Sequence, residues 1–366
     1  MRIGIMGGTF DPIHRGHVDV ALEVLAALHL DRVMLLPSGD PPHKAHVTDK
    51  MDRLKMVEIA ASKHAGLFAS DVEINREGIT YTVDTLTALT QRHPDTEWVY
   101  IIGADTLNVL DSWRNFSRIV GLCTFAAVGR PGCDQRQIMD RAREIEARFG
   151  TRIVLMSIDG PNISSTEIRT RVAEGRDIHG MTPDGVAAYI QEHGLYLCGC
   201  SETELLAKLK GRLSAHRFLH TLGVAETAFR LAPRYGVPPY RARLAGLLHD
   251  CAKAMSYDDM RILVAENVPD ADALELESAP VLHAPAGRVL AEREFGVKDP
   301  MILDAIRRHT LGGPAMTAMD ALIYVADFIE PGREDFPGLA EARDMAERDI
   351  FQAMRICASL TADYLK

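Results

Sequence analysis

Gly7-Gly8-Thr9-Phe10-Asp11-Pro12-Ile13-His14-Arg15-Gly16-His17 lies between an apolar run at 2–6 and a helical stretch at 18–30, early in a chain of 366 residues. A strand that ends on paired glycines and turns into a helix is a place where anions bind. The glycines let backbone approach a phosphate closely, and the helix N-terminus supplies N–H groups and a partial positive charge. His14 and His17 stand three apart around Gly16, so both imidazoles can face one phosphate-sized volume. A Gly-Gly turn alone, or a histidine pair alone, is more often structural. Together at a first strand–helix junction they favour a phosphate site.

Outward from this segment the pattern repeats. Strand-like runs at 32–36, 98–102, 124–128 and 152–156 are separated by helical stretches such as 50–64, which predicts a Rossmann-like α/β domain with a parallel sheet up to about residue 198. From Ser201 onward the runs are long and amphipathic, at 203–235, 241–253, 285–295, 300–309, 319–329 and 339–364, and no strand pattern appears. That half predicts an all-α domain. The junction falls where Cys198-Gly199-Cys200-Ser201-Glu202-Thr203 breaks the periodicity, and Ser201 or Thr203 can cap the next helix. Two domains are therefore expected, 1–198 and 204–366, with 199–203 as the linker; the chain is too long for one typical core.

Hydrophobic residues at 47% and charged residues at 25% fit a globular protein, and no apolar run approaches a membrane span. The net charge of −10 is shared evenly by the two halves, which argues against a nucleic-acid partner. The sequence passes from Met1 directly into a strand pattern without the features of a secretory signal, so a cytoplasmic location is expected. Six cysteines occur without a CxxC pair and are read as free thiols, with Cys198 and Cys200 as part of the linker. The oligomeric state stays open, a homo-oligomer included.

The opening segment closely resembles the HxGH nucleotidylyltransferase superfamily. Further runs narrow the resemblance to bacterial nicotinate mononucleotide adenylyltransferases: Pro41-Pro42-His43-Lys44, Gly78-Ile79-Thr80-Tyr81-Thr82-Val83-Asp84-Thr85-Leu86, Ile102-Gly103-Ala104-Asp105, Trp113, Arg130-Pro131-Gly132 and Ile163-Ser164-Ser165-Thr166-Glu167-Ile168-Arg169. Thr80 stands where the family usually has Ser and keeps the hydroxyl. The resemblance covers residues 1–198 and implies transfer of AMP from ATP to nicotinate mononucleotide with release of pyrophosphate. It implies that Gly7, Gly8, Thr9, Phe10, His14, His17, Gly103, Asp105, Ser165, Thr166 and Arg169 bind ATP. Asp11, Lys44, Tyr81, Thr82 and Trp113 would bind the acceptor, and His14, His17 and Lys44 would act on the reacting phosphates, with Mg²⁺ on the pyrophosphate. The acceptor is already an anion, so no general base is required; positive and N–H-rich groups suffice. Adenylylation or cytidylylation of another phosphate remains the alternative, and Trp113 with the Thr82 loop speaks against it.

In the second half His220, His249-Asp250, His283, His309 and Asp327 follow an order that suggests a metal site. Leu244-Ala245-Gly246-Leu247-Leu248 places His249-Asp250 at the end of a buried helix, where an imidazole and a carboxylate need a charge partner, and Asp327 follows a second apolar run. Each residue alone fits a hydrogen-bonded core or surface role; the set favours metal. The order resembles the HD phosphohydrolase superfamily, and the local runs around these residues resemble bacterial HD hydrolases that split diadenosine tetraphosphate into two ADP. The resemblance implies that His220, His249, Asp250 and Asp327 hold one metal and that Asp250 bridges to a second on His283 and His309. Two divalent metals, iron being the family expectation, would be the cofactors. Asp250 and Lys253 are the catalytic candidates, and Lys253 and Arg333 would meet phosphate oxygens. Hydrolysis of another nucleotide, or a non-catalytic nucleotide-sensing or oligomerising role, stays open. His216 is expected on the surface.

Overall fold

Six parallel strands form the sheet of the first half: β1 (Arg2–Gly8), β2 (Arg32–Pro37), β3 (Leu67–Ala69), β4 (Glu97–Gly103), β5 (Thr124–Gly129) and β6 (Ile153–Ser157), in the spatial order β3-β2-β1-β4-β5-β6. The order turns back at β1, which pairs with β2 from Ile3↔Arg32 to Gly8↔Pro37 and with β4 from Arg2↔Glu97 to Met6↔Ile101. In such a doubly wound sheet the connections leave in opposite directions at this point. A crevice for ligands is left at the C-terminal ends of the two central strands. The strands read as continuous apolar runs because helices cover both faces of the sheet: Ile3, Ile5, Val33, Leu35, Ile101 and Phe125 are all buried.

The computed structural model describes residues 1–39, 47–129, 134–271 and 273–364, which divide into two compact units, 1–169 with 178–189 and 170–177 with 190–366. The helices of the first half are α1 (Arg15–Ala27), α2 (Lys50–Ala61), α3 (Thr82–Arg92), α4 (Phe116–Ile119), α5 (Gln135–Phe149), α6 (Ser165–Ala173) and α7 (Asp184–Glu192). β3 has three residues and forms an edge of the sheet, too short to show a pattern in the sequence.

The second half is helical, as expected: α8 (Glu202–Arg212), α9 (Ala215–Leu231), α10 (Pro239–Leu248), α11 (Tyr257–Asn267), α12 (Ala273–Glu277), α13 (His283–Arg293), α14 (Pro300–Arg308), α15 (Ala318–Ile329), α16 (Leu339–Ala346) and α17 (Ile350–Tyr364). Ser201 caps α8 in a reciprocal box with Glu204, each side chain meeting the other residue's backbone N–H. Two expected long helices are each broken. Ser214 starts α9 by accepting from the Arg217 N–H at 3.3 Å, and Asp349 starts α17 by accepting from the N–H groups of Phe351 and Gln352 at 3.0 Å each. A short polar side chain competes with the helical hydrogen bond and turns one periodic run into two helices. The run at 241–253 is also shorter than expected, since α10 ends at Leu248. Among the described residues no helix is long and apolar enough to cross a membrane, and the five described cysteines are free.

Candidate active sites

β1 leads through Gly7-Gly8 into α1, and the turn between them gathers the expected phosphate-binding residues. Phe10 is buried with φ 50°, a conformation that bulky residues adopt only when their surroundings enforce it. Its ring lies beneath Gly8, where an added Cβ would come within 3.2 Å, and meets His17 edge-on at 5.1 Å. His14 caps α1 and is buried, and its ring stacks on His17 at 3.7 Å. Gly16 is needed for that stack, since a Cβ there would stand 3.2 Å from His14 Nδ1. The His14 backbone N–H donates to His17 Nδ1 at 3.3 Å, so the ring proton of neutral His17 sits on Nε2 as a donor.

A distant motif completes this corner. At the start of α6, Ser165 Oγ donates to the Pro12 carbonyl at 2.9 Å, and Arg169 donates to the Asp11 carbonyl at 2.6 Å and to Thr166 Oγ1 at 3.3 Å. Ser165, Thr166 and Arg169 therefore stand beside the glycine-rich turn although more than 150 residues separate them in sequence. Gly103 and Asp105 lie at the exit of β4, next to β1, with Asp105 exposed.

The expected acceptor residues are on the same edge of the sheet. Tyr81 is the N-cap of α3, Thr82 its first residue, and Arg114 covers the Tyr81 ring at 4.4 Å. Trp113 is half-buried and packs edge-on against Tyr100 at 5.8 Å. Tyr100 was not singled out from the sequence, yet its hydroxyl lies near Thr82 and 2.6 Å from where a Cβ on Gly7 would stand. Burial, with Glu73 nearby, pushes the Tyr100 phenol well above its ordinary range. Lys44, with the rest of Pro41-Pro42-His43-Lys44, and Arg130-Pro131-Gly132 lie outside the described residues.

The second unit brings all six expected ligands together, one from the body of a helix and the others from the ends of four more. His220 comes from α9, His249 and Asp250 follow α10, His283 opens α13, His309 closes α14 and Asp327 sits in the last turn of α15. Asp250 faces both ways. One oxygen lies 3.9 Å from His220 Nε2 and 3.5 Å from His249 Nε2, and the other 3.1 Å from His283 Nε2 and 3.8 Å from His309 Nε2. Asp327 Oδ1 is 3.0 Å from His220 Nε2 and 3.8 Å from His249 Nε2. Three overlapping groups, His220 with His249 and Asp250, His249 with His309 and Asp327, and Asp250 with His283 and His309, each hold their ligand atoms within 4.8 Å of one another. Asp327 is less buried than its apolar run predicted, its side chain keeping 25% exposure, because the last turn of α15 reaches the rim of the cluster.

The ring orientations suit a metal. Nδ1 of His249 donates to the Gly246 carbonyl at 2.7 Å and Nδ1 of His309 to the Ile306 carbonyl at 2.6 Å, which leaves each Nε2 with its lone pair turned inward. His220 does the same through Glu330, 3.1 Å from its Nδ1. Nε2 of His220 and of His249 is buried and faces carboxylate oxygens of Asp327 and Asp250 without a well-aligned hydrogen bond, an arrangement that suits a ligand atom. Burial alone would raise both carboxylates. His249, with His283 and His309, instead holds Asp250 far below its ordinary range, and His220, with His249 and His309, does the same for Asp327. Burial, then the His249 and His283 rings, pushes His309 down to about 3.

Cations surround the cluster. Lys253 Nζ lies 3.0 Å from His283 Nδ1, and Arg333 donates to Asp327 Oδ1 at 2.8 Å. Arg217, not anticipated from the sequence, donates to Asp250 Oδ2 at 2.8 Å. Glu330 was also missed, although it stands in the quoted run with Asp327. It is buried, its Oε2 accepts from the Gly332 N–H at 2.6 Å, and a Cβ on Gly223 would strike it at 2.5 Å. His216 is exposed, as expected.

A doubly wound sheet with paired glycines and two histidines at its turning point, and a helical unit with six converging His and Asp side chains, define a nucleotidyltransferase-type α/β domain together with an HD domain. Residues 5–171 match the cytidylyltransferase-like family and residues 217–332 the HD domain. A "Probable nicotinate-nucleotide adenylyltransferase" of Clostridium novyi (strain NT) is 38% identical over 195 residues, 53% of this chain and 98% of that protein. One of the same name from Geobacillus thermodenitrificans (strain NG80-2) is 41% identical over 199 residues, 53% of this chain and 86% of that protein. A solved structure named as a predicted HD superfamily hydrolase involved in NAD metabolism, from Clostridium acetobutylicum, is 36% identical, covers 45% of this chain and 87% of its own, and has a TM-score of 0.44. The chain belongs to the nicotinate-nucleotide adenylyltransferase family and carries an HD domain in its second half.

Proposed function

We propose that the first half of this chain transfers AMP from ATP to nicotinate mononucleotide, giving nicotinate adenine dinucleotide and pyrophosphate. The observation that carries this reading is the meeting of Ser165 and Arg169 with the Asp11–Pro12 turn beside the stacked His14 and His17. An oxygen of the acceptor phosphate attacks the α-phosphorus in line, and the bond to the β-phosphate oxygen breaks as pyrophosphate leaves. His17 Nε2–H, His14 and the N–H groups at Gly7, Gly8, Thr9 and Phe10 take up charge on the phosphates, and Ser165, Thr166 and Arg169 close the corner. Lys44 neutralises phosphate charge, Mg²⁺ arrives with ATP as the companion of its phosphates, and Gly103 and Asp105 receive the ribose. Asp11, Tyr81, Thr82 and Trp113 orient the acceptor, with the N–H groups at the start of α3 on its carboxylate and Trp113 against its ring. In this reading the transferase domain is 1–198, the linker 199–203 and the HD domain 204–366.

For the second half we infer metal-dependent phosphohydrolysis, with diadenosine tetraphosphate cleaved symmetrically to two ADP. Asp250, with an oxygen toward each histidine pair, supports a bridged pair of divalent metals. Iron is the expected metal. Held by these six residues, such metals would supply Lewis acidity and would lower the pKa of a bound water. Lys253, Arg333 and Arg217 steer the polyphosphate to them.

Two assays on the purified chain test these readings. With ATP, nicotinate mononucleotide should be used in preference to its amide by about a hundredfold in kcat/KM, because N–H donors at a helix start favour a carboxylate. Equal use of the amide would refute the acceptor assignment. With diadenosine tetraphosphate, chromatography should show ADP as the sole product; AMP with ATP would refute symmetrical cleavage.

A further inference from the structure

Arg53 is among the largest fully buried side chains of the protein, a rare place for a guanidinium. Its Nε and terminal nitrogens donate to backbone carbonyls: Thr48 at 2.9 Å, Thr9 at 2.9 Å, Ser38 at 2.7 Å and Gly39 at 2.7 Å. Thr9 belongs to the glycine-rich turn after β1, and Ser38 and Gly39 follow β2. The same two turns are tied directly, the Ser38 N–H donating to the Gly8 carbonyl at 2.9 Å.

A peptide is planar and trans, so its N–H points away from its carbonyl. The peptide whose Ser38 carbonyl meets Arg53 therefore turns the Gly39 N–H to its other side, toward Glu73, whose carboxyl it helps to hold down. Glu73 is buried, and burial raises its pKa against the opposing effects of Thr85, Arg76 and Gly39. It also accepts from Thr85 Oγ1 at 2.8 Å, in the first turn of α3, three residues after Thr82. No side chain fits between them, since a Cβ on Gly39 would lie 2.5 Å from the Glu73 carbonyl oxygen. Tyr100 closes the circuit, its hydroxyl near Thr82 and packed under Gly7.

We propose that Arg53 and Glu73 are positioning residues for adenylyl transfer, gripping the Ser38–Gly39 peptide from its two sides and so fixing the spacing between the Gly7–Thr9 turn and the Tyr81–Thr82 turn. The proposal rests on the transferase reading of this site. Neither residue touches substrate; they act through the backbone that does. An in-line displacement depends on sub-ångström placement of its two reactants, so a shared buried anchor between the two turns affects both.

Arg53→Lys, Glu73→Gln and the double variant of the full chain test this by two readouts. Amide hydrogen exchange, which needs no substrate, should rise about tenfold at residues 7–10 and at 81–84 together in either single variant. A rise at only one of the two stretches overturns the proposal. Each single variant should raise the Michaelis constant for nicotinate mononucleotide about tenfold, and the double should stay within about twofold of the worse single, because both act on one peptide. Multiplying effects overturn it. Should Arg53→Lys fail to fold, Thr85→Val removes the anchor on α3, together with a longer contact from Arg76 at 3.3 Å, and should raise the same constant about threefold; an unchanged constant overturns the proposal. A wild-type chain that does not turn over would sink the transferase reading, with the exchange result still deciding the clamp.

Discussion

The two halves build their sites from different materials. At the C-terminal ends of its central strands the first half relies on backbone: glycines that admit phosphate, helix starts, and histidines that cap the helix they belong to. The helical half relies on six side chains that reach inward from five helices. A backbone site shares its work among many weak donors, whereas a ligand cluster concentrates it in a few groups that each hold a large share of one ion. Damage should therefore grade smoothly in the first and fall steeply in the second.

The steepest expected fall is at Asp250. Asp250→Ala removes an oxygen from both histidine pairs at once, so hydrolysis should drop by at least about a thousandfold, with metal lost from the purified protein and adenylyl transfer nearly intact. Both activities and metal content measured on one preparation check this, and retained hydrolysis with full metal would break the comparison. Next comes His17→Ala. It removes a donor aimed at charge that builds during transfer, so kcat should fall about 10²–10³-fold while the Michaelis constant for ATP moves little. An effect confined to that constant would take His17 out of the reaction.

Glu330→Gln is milder. It keeps the shape beside His220 but weakens the acceptor on Nδ1, and metal affinity should fall about 10–100-fold, read by competition with a chelator. Normal affinity would mean that Glu330 only fills space. The smallest effect is expected at Ser201→Ala, which opens the capping box of α8 and should cost about 1 kcal/mol in urea unfolding with both activities unchanged.

What could be read from the sequence follows the same division. His220, His249, Asp250, His283, His309 and Asp327 stand out because imidazole and carboxylate beside apolar runs have few bland explanations. His14 and His17 stand out because glycines flank them. Arg53 does not, since a charged residue in the amphipathic stretch at 50–64 reads as solvent-facing; only the fold reveals that this one turns inward onto carbonyls. Tyr100 reads as one more apolar residue of the strand run at 98–102, Glu73 as an ordinary charge between elements, and Arg217 lies one turn before His220 among ordinary surface cations. β3 is too short to carry a period, and the breaks at Ser214 and Asp349 lie inside runs whose apolar spacing continues across them.

The hydrogen bonds of His249 and His309 to carbonyls three residues back on their own helices have a kinetic meaning. Each ring is aimed by the turn that carries it, so little side-chain freedom is left to be frozen when an ion arrives. Loading and exchange of metal should then proceed without refolding, with far-ultraviolet circular dichroism constant through a titration while the ion equilibrates within seconds to minutes.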